Sequence, residues 1–170
     1  MPDKVYNTLF LCTGNSARSI LAEAILNRIG EGRFRAFSAG SHPTGEVNPM
    51  ALEVLGERGY ELSSLRSKSW EEFAAPEAPQ LDFVFTVCDD AAGEACPLWP
   101  GQPVTAHWGL QDPAALEGPP EERRRAFRRA YVVVERRIEL FAQLGVEALE
   151  GRSLQSQLEA IGKAQPGGVG

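Results

Sequence analysis

The sequence predicts a three-layer α/β domain, a parallel sheet with helices on both faces. Two observations carry this expectation. Short apolar runs alternate with helical patterns in the order β-α-β-α-β-α-β-α, which winds a parallel sheet. The chain has 170 residues, 43% of them hydrophobic and 24% charged, enough for one well-buried globular domain and too few for two ordinary ones.

The elements follow in order. Val5 to Leu11 is a short apolar strand. Ala17 to Ile29 is a helix, with Ile20, Leu21, Ala24, Ile25 and Ile29 at helical spacing and Gly30 and Gly32 at its end. Phe34 to Ala39 alternates as a second strand, and residues 40–45 form a loop. Pro49 to Arg58 is a second helix, with proline in its first turn and Gly59 as its stop. Residues 62–69 are irregular, Trp70 to Phe73 is one helical turn, and the Pro-rich 75–80 is a surface connector. Leu81 to Val87 is a third strand, buried on both faces, and Val104 to Trp108 a short fourth. Glu121 to Leu144 is a long amphipathic helix with Phe127, Ala130, Tyr131, Val134, Ile138 and Phe141 as its apolar stripe. Its basic run, residues 122–129, is expected as a solvated face. Residues 1–150 make the domain; residues 151–170 add a short helix and a flexible tail.

The net charge of −6 argues against nonspecific nucleic-acid binding, which needs a basic face. No stretch is long and apolar enough to span a bilayer, and the N-terminus lacks a basic segment followed by a hydrophobic core, so a cytoplasmic protein is expected. There are three cysteines, Cys12, Cys88 and Cys96. An odd count in such a chain is a poor disulfide framework and leaves catalysis, redox exchange or burial. Zinc held by Cys88, Cys96 and His107 matches no common ligand spacing and lacks a fourth ligand, so no metal is expected.

In parallel sheets ligands bind at the carboxyl ends of the strands. Cys12 ends the first strand, Cys88 follows the third, and residues 107–112 follow the fourth. Between Cys12 and the helix, a loop of Thr13, Gly14, Asn15, Ser16 and Ala17 can curl until its N–H groups face one centre and cradle a tetrahedral oxyanion. Gly14 is expected to take a backbone geometry that other residues resist, and Asn15 tolerates left-handed torsions. Arg18 can hold two oxyanion oxygens as a planar fork. The same amides favour the Cys12 thiolate, a nucleophile aimed at the bound anion, and Ser19 can donate to its sulfur. Taken alone, Asp112 reads first as a turn residue before proline; its place after the fourth strand shifts the reading to the site.

Residues 12–19, CTGNSARS, resemble the phosphate-binding loop of the low-molecular-weight tyrosine phosphatase superfamily, and more closely that of the arsenate reductases built on the same fold. SAGSHP (38–43), TVCDDAAGEACP (86–97) and HWGLQDPA (107–114) fit the same pattern, from residue 5 to about residue 145. The resemblance implies a flavodoxin-like sheet of four parallel strands. It implies Cys12 as first nucleophile, Arg18 as oxyanion clamp, Asp112 as general acid, Ser19 as activator of the thiolate and Asn15 as a shaper of the loop. It implies Cys88 and Cys96 as two further redox cysteines, reoxidised to a redox-active disulfide that an external thiol system, thioredoxin or glutathione with glutaredoxin, reduces. No bound cofactor is implied, and the role is arsenical resistance by detoxification. His107 and Trp108 are expected to shape the loop carrying Asp112.

Phosphatases of this fold carry a cysteine before the loop arginine, a proline two residues after it and an aromatic after the Asp-Pro pair. Here those positions hold Ala17, Ile20 and Ala114, which counts against a tyrosine phosphatase. Hydrolysis of phosphomonoesters through a Cys12 phosphoenzyme is the alternative reading, and a non-catalytic anion sensor is a third. Seven residues separate Cys88 from Cys96, one more than is typical of thioredoxin-coupled relatives. Some relatives also hold a potassium ion near the loop; here Glu23 and Ser38 fit such a site, and the ammonium of Lys68 is expected to replace the cation.

Overall fold

The computed structural model describes residues 5–87, 103–144 and 154–163. Its strands are β1 (Tyr6–Cys12), β2 (Phe34–Gly40), β3 (Phe83–Thr86) and β4 (Val104–His107). Its helices are α1 (Arg18–Ile29), α2 (Pro49–Glu57), α3 (Pro120–Ala142) and α4 (Leu154–Ile161), with 3₁₀ turns at Trp70–Phe73 and Pro113–Ala115. The four strands form one parallel sheet in the order β2-β1-β3-β4, the flavodoxin-like α/β arrangement. The helix expected between β3 and β4 falls on residues 88–102, and the tail on 164–170, both outside the described residues.

Alternation along β1 builds the core. Phe10 and Cys12 face the principal cluster, to which α1, α2, α3 and α4 all contribute, while Leu9 and Leu11 face a smaller one closed by Phe73 and Leu81. Asn48 caps α2, its Oδ1 accepting from the Met50 N–H at 2.9 Å, with Pro49 preset for the first turn. The stripe of α3 is buried as its spacing predicts, and aromatic rings fill the centre: Phe85 stacks on Trp108 at 4.0 Å and Phe34 meets Phe141 at 4.8 Å. Two arginines of the basic run bind across to α2, Arg124 to Glu53 and Arg128 to Glu57, both at 2.8 Å. Solvent screens such exposed pairs, so they add little to stability.

Strand β3 is shorter than the apolar run around it. Asp82, just before the strand, takes the Asn7 N–H on its carboxylate at 2.8 Å while its own N–H donates to the Asn7 carbonyl at 2.8 Å, and Leu81 and Val87 stay buried on either side. The registers fix what matters next. Cys12 pairs with Gly40, Leu11 with Thr86, and Thr86 with His107, so all four strands end along one edge. Among the described residues, no helix is long and apolar enough to cross a membrane.

Candidate active site: an oxyanion cup at the strand ends

Residues 12–17 turn from β1 into α1 at this edge. The loop's carbonyls are held outward by the segment that follows β2. The Thr13 carbonyl accepts from the His42 N–H at 2.9 Å, Gly14 from Thr44 at 3.0 Å, and Ser16 from Asn48 at 2.8 Å. The Ser67 hydroxyl adds a bond to the Gly14 carbonyl at 3.1 Å. In a trans peptide each C=O points opposite to the next N–H, and the described chain has no cis bond. The N–H groups of Gly14, Asn15 and Ala17 therefore face away from the 42–48 segment, toward one common side.

Asn15 takes the strained torsion, φ +47°, a conformation that costs an ordinary L-residue about 1–2 kcal/mol and Asn less. Two bonds of its fully buried side chain offset that cost. Nδ2 donates to Ser19 Oγ at 2.8 Å, and Oδ1 accepts from the Lys68 main-chain N–H at 2.8 Å. The expectation for Gly14 is corrected: its φ does not lie in the left-handed region. What favours a small residue there is Thr44, whose Cγ2 would stand 3.3 Å from an added Cβ.

A second glycine matters more, and the sequence pattern did not single it out. At Gly40 an added Cβ would lie 2.5 Å from the Thr13 carbonyl oxygen and 2.8 Å from that of Cys12. The β2 backbone can approach the loop only because this side chain is absent. Its signal was Gly40 at the end of the alternating strand, a position that also reads as an ordinary loop start.

Arg18 opens α1 and reaches across to the loop after β4. Its Nη1 donates to the Leu110 carbonyl at 3.0 Å, and its Nη2 lies 3.5 Å from Asp112 Oδ2. Its Nε is buried and has no hydrogen-bond partner among the described residues. A buried guanidinium N–H without a partner is costly, and a bound anion oxygen would satisfy it. The other oxygen of Asp112 accepts from the Ala114 N–H at 2.9 Å and caps the 3₁₀ turn, so the residue serves as turn former and as a facing carboxyl at once. The Cys12 side chain is 4% exposed, and Ser19 is fully buried.

Behind the loop, Lys68 Nζ donates to the carbonyls of Ser38 at 2.9 Å and Arg66 at 2.8 Å and lies 3.7 Å from Glu23 Oε1, which also accepts from Ser38 Oγ. Burial lowers the Lys68 pKa and raises that of Glu23. The ammonium fills the oxygen cluster in which a potassium ion would need to sit, so these residues do not fit that ion.

The structure thus brings together Cys12, residues 13–19 and Asp112. Cys88 and Cys96 lie outside the described residues. The chain just before Cys88 is placed: Val87 donates its N–H to the Leu11 carbonyl at 2.8 Å, beside the end of β1.

Residues 7–155 match the family described as low molecular weight phosphotyrosine protein phosphatase. An arsenate reductase of Shouchella clausii is 39% identical over 136 residues, which are 80% of this chain and 94% of that protein. A solved arsenate reductase in the phosphate binding state superposes with a TM-score of 0.59 at 27% identity, covering 81% of this chain and 96% of the other. A thioredoxin-dependent arsenate reductase of Corynebacterium glutamicum gives a TM-score of 0.51 at 27% identity, covering 76% and 60%. This chain belongs to the low molecular weight phosphotyrosine protein phosphatase family, and within it stands with the arsenate reductases.

Proposed function

We propose that the chain reduces arsenate to arsenite with Cys12 as nucleophile. The observation that carries this reading is the Arg18 Nε, without a hydrogen-bond partner among the described residues, beside amides that share one direction. A structural relative in a phosphate binding state supports a tetrahedral oxyanion as the occupant.

In this reading the amides and Arg18 bind arsenate, and the N-terminus of α1 favours the thiolate of Cys12. The sulfur attacks arsenic, and one oxygen departs with a proton from Asp112 as water. Ser19 already accepts a bond from Asn15, which leaves its own hydroxyl proton for the sulfur. The Cys88 thiolate then attacks the Cys12 sulfur. A disulfide forms, the S–As bond breaks, and its electron pair reduces As(V) to arsenite. Cys96 attacks Cys88, moves the disulfide outward and releases Cys12 as thiolate. Two electrons leave two thiols, and one water forms. An external dithiol resets the Cys88–Cys96 bridge; the thioredoxin-dependent relative favours thioredoxin over glutathione with glutaredoxin. A reducing cytoplasm, which keeps the three thiols ready, is the compartment this chemistry requires, and arsenical resistance is its use.

Phosphomonoester hydrolysis needs only the cup and Asp112, and the family name favours it as a second reading. Cys88→Ser separates the two. Arsenate-dependent NADPH oxidation, coupled through thioredoxin and its reductase, should vanish, while hydrolysis of an aryl phosphate should persist. Cys12→Ser should abolish both. A Cys88→Ser protein that still turns over arsenate contradicts the three-thiol course.

A further inference from the structure

The loop that carries Asp112 is held from late in the chain. Arg137 of α3, 4% exposed, donates from Nη1 to the carbonyls of Trp108 at 3.0 Å and Gly109 at 3.1 Å. Trp108, 2% exposed, donates its indole N–H to the Leu158 carbonyl of α4 at 2.8 Å. That carbonyl also accepts the N–H of Gly162 at 3.1 Å, so one helix-end oxygen ties α4 to the loop. Gly162 itself packs so closely that an added Cβ would stand 2.7 Å from Trp108 Cδ1 and 2.8 Å from the His107 carbonyl oxygen. Leu154, Leu158 and Ile161 anchor α4 in the principal core. Two residues beyond Trp108, Leu110 accepts the Arg18 bond, and Asp112 faces the same guanidinium. The family match ends at residue 155, so most of α4, and Gly162 with it, lies beyond the matched residues.

We propose that α4 and Arg137 form a brace that sets the position of Asp112 over the cup, with Trp108, Arg137 and Gly162 as positioning residues. The inference rests on the reading of Asp112 as the proton donor. Asp112 is itself 39% exposed at its side chain, and its place depends on the residues that hold the backbone on either side. A general acid contributes about 10²–10⁴-fold to a rate, and a displacement of about 1 Å can forfeit much of it.

The test is a single-turnover measurement of thiol loss when the reduced, full-length chain meets arsenate. Gly162→Val, which pushes α4 off Trp108, should lower the maximal rate constant about tenfold, with the half-saturating arsenate concentration changed less than about twofold. Trp108→Phe keeps most of the ring and leaves the Leu158 carbonyl bonded to Gly162, so it is the milder variant; it should slow the step severalfold even if Gly162→Val fails to fold. In an Asp112→Asn background neither substitution should slow the step further. Folded Trp108→Phe protein reacting at the wild-type rate would overturn the brace. So would equal slowing in both backgrounds, because α4 would then act by another route. An Asp112→Asn chain that alone keeps the wild-type rate would instead remove the proton-donor reading, and the brace with it.

Discussion

The loop 12–19 hangs mainly from backbone bonds that the 42–48 segment donates to three of its carbonyls, whereas the loop 108–112 has two main-chain bonds to the end of β3, from Trp108 to Thr86 and from Leu110 to Val87, and relies further on the side chains of Arg18, Arg137 and Trp108. The first kind of support is indifferent to side-chain identity and sensitive to where a Cβ can fit. The second concentrates the same task in a few side-chain atoms. One wall of the cup is thus fixed mainly by main-chain geometry, while the other adds side chains from far along the chain to its main-chain bonds.

The sharpest way to break this contrast is at the glycines. Gly40→Ala places a Cβ against two backbone carbonyls that cannot swing aside. Arsenate reduction should fall about 10²-fold in kcat/KM, and stability by about 2–3 kcal/mol in chemical unfolding. Gly14→Ala, inside the motif, meets the Thr44 methyl at 3.3 Å and the Ser16 hydroxyl at 3.6 Å, both side-chain atoms, and should cost less than about 1 kcal/mol. Equal effects would show that the loop is not held by its close backbone approach.

The support behind the loop predicts a purely energetic effect. Lys68→Met leaves the Glu23 carboxylate buried without its cation and should destabilise the fold by about 3 kcal/mol; adding Glu23→Gln should restore at least half, read by urea unfolding. The smallest effect concerns pH. Burial holds Glu23 above its ordinary value of 4.5, so the folded chain keeps that proton more tightly than the unfolded chain. This contribution is fully present below the ordinary value and is lost as pH rises through the raised one. The thermal midpoint of wild type relative to Glu23→Gln should therefore decline from pH 4 toward pH 7, and a difference that grows instead contradicts the assignment.

Much of the floor was legible in the sequence because its side chains are consecutive. A cysteine at a strand end, Asn15 for the left-handed torsion and Arg18 at the start of α1 stand in a row. Asp112 was legible through strand order, which brings residues after β4 to the edge where Cys12 ends β1. The supports were not. His42, Thr44 and Asn48 hold the loop through main-chain N–H groups that every residue but proline possesses, so their side chains leave no trace of the role. Gly14 drew the torsion that belongs to Asn15, because glycine is the usual bearer of such geometry. Periodicity found the apolar stripe of α3, but a hydrophobic pattern has no place for Arg137, which is buried on that helix by its bonds to two carbonyls.

Inward amides and Arg18 are expected to hold a tetrahedral anion against the Cys12 sulfur. The most direct test of this is the rate at which iodoacetamide alkylates the Cys12 peptide at pH 7, followed by mass spectrometry with and without saturating inorganic phosphate. Alkylation should be fast and slowed about tenfold or more by phosphate, with that protection lost in Arg18→Ala. Alkylation of Cys12 at one rate with and without phosphate would contradict that arrangement.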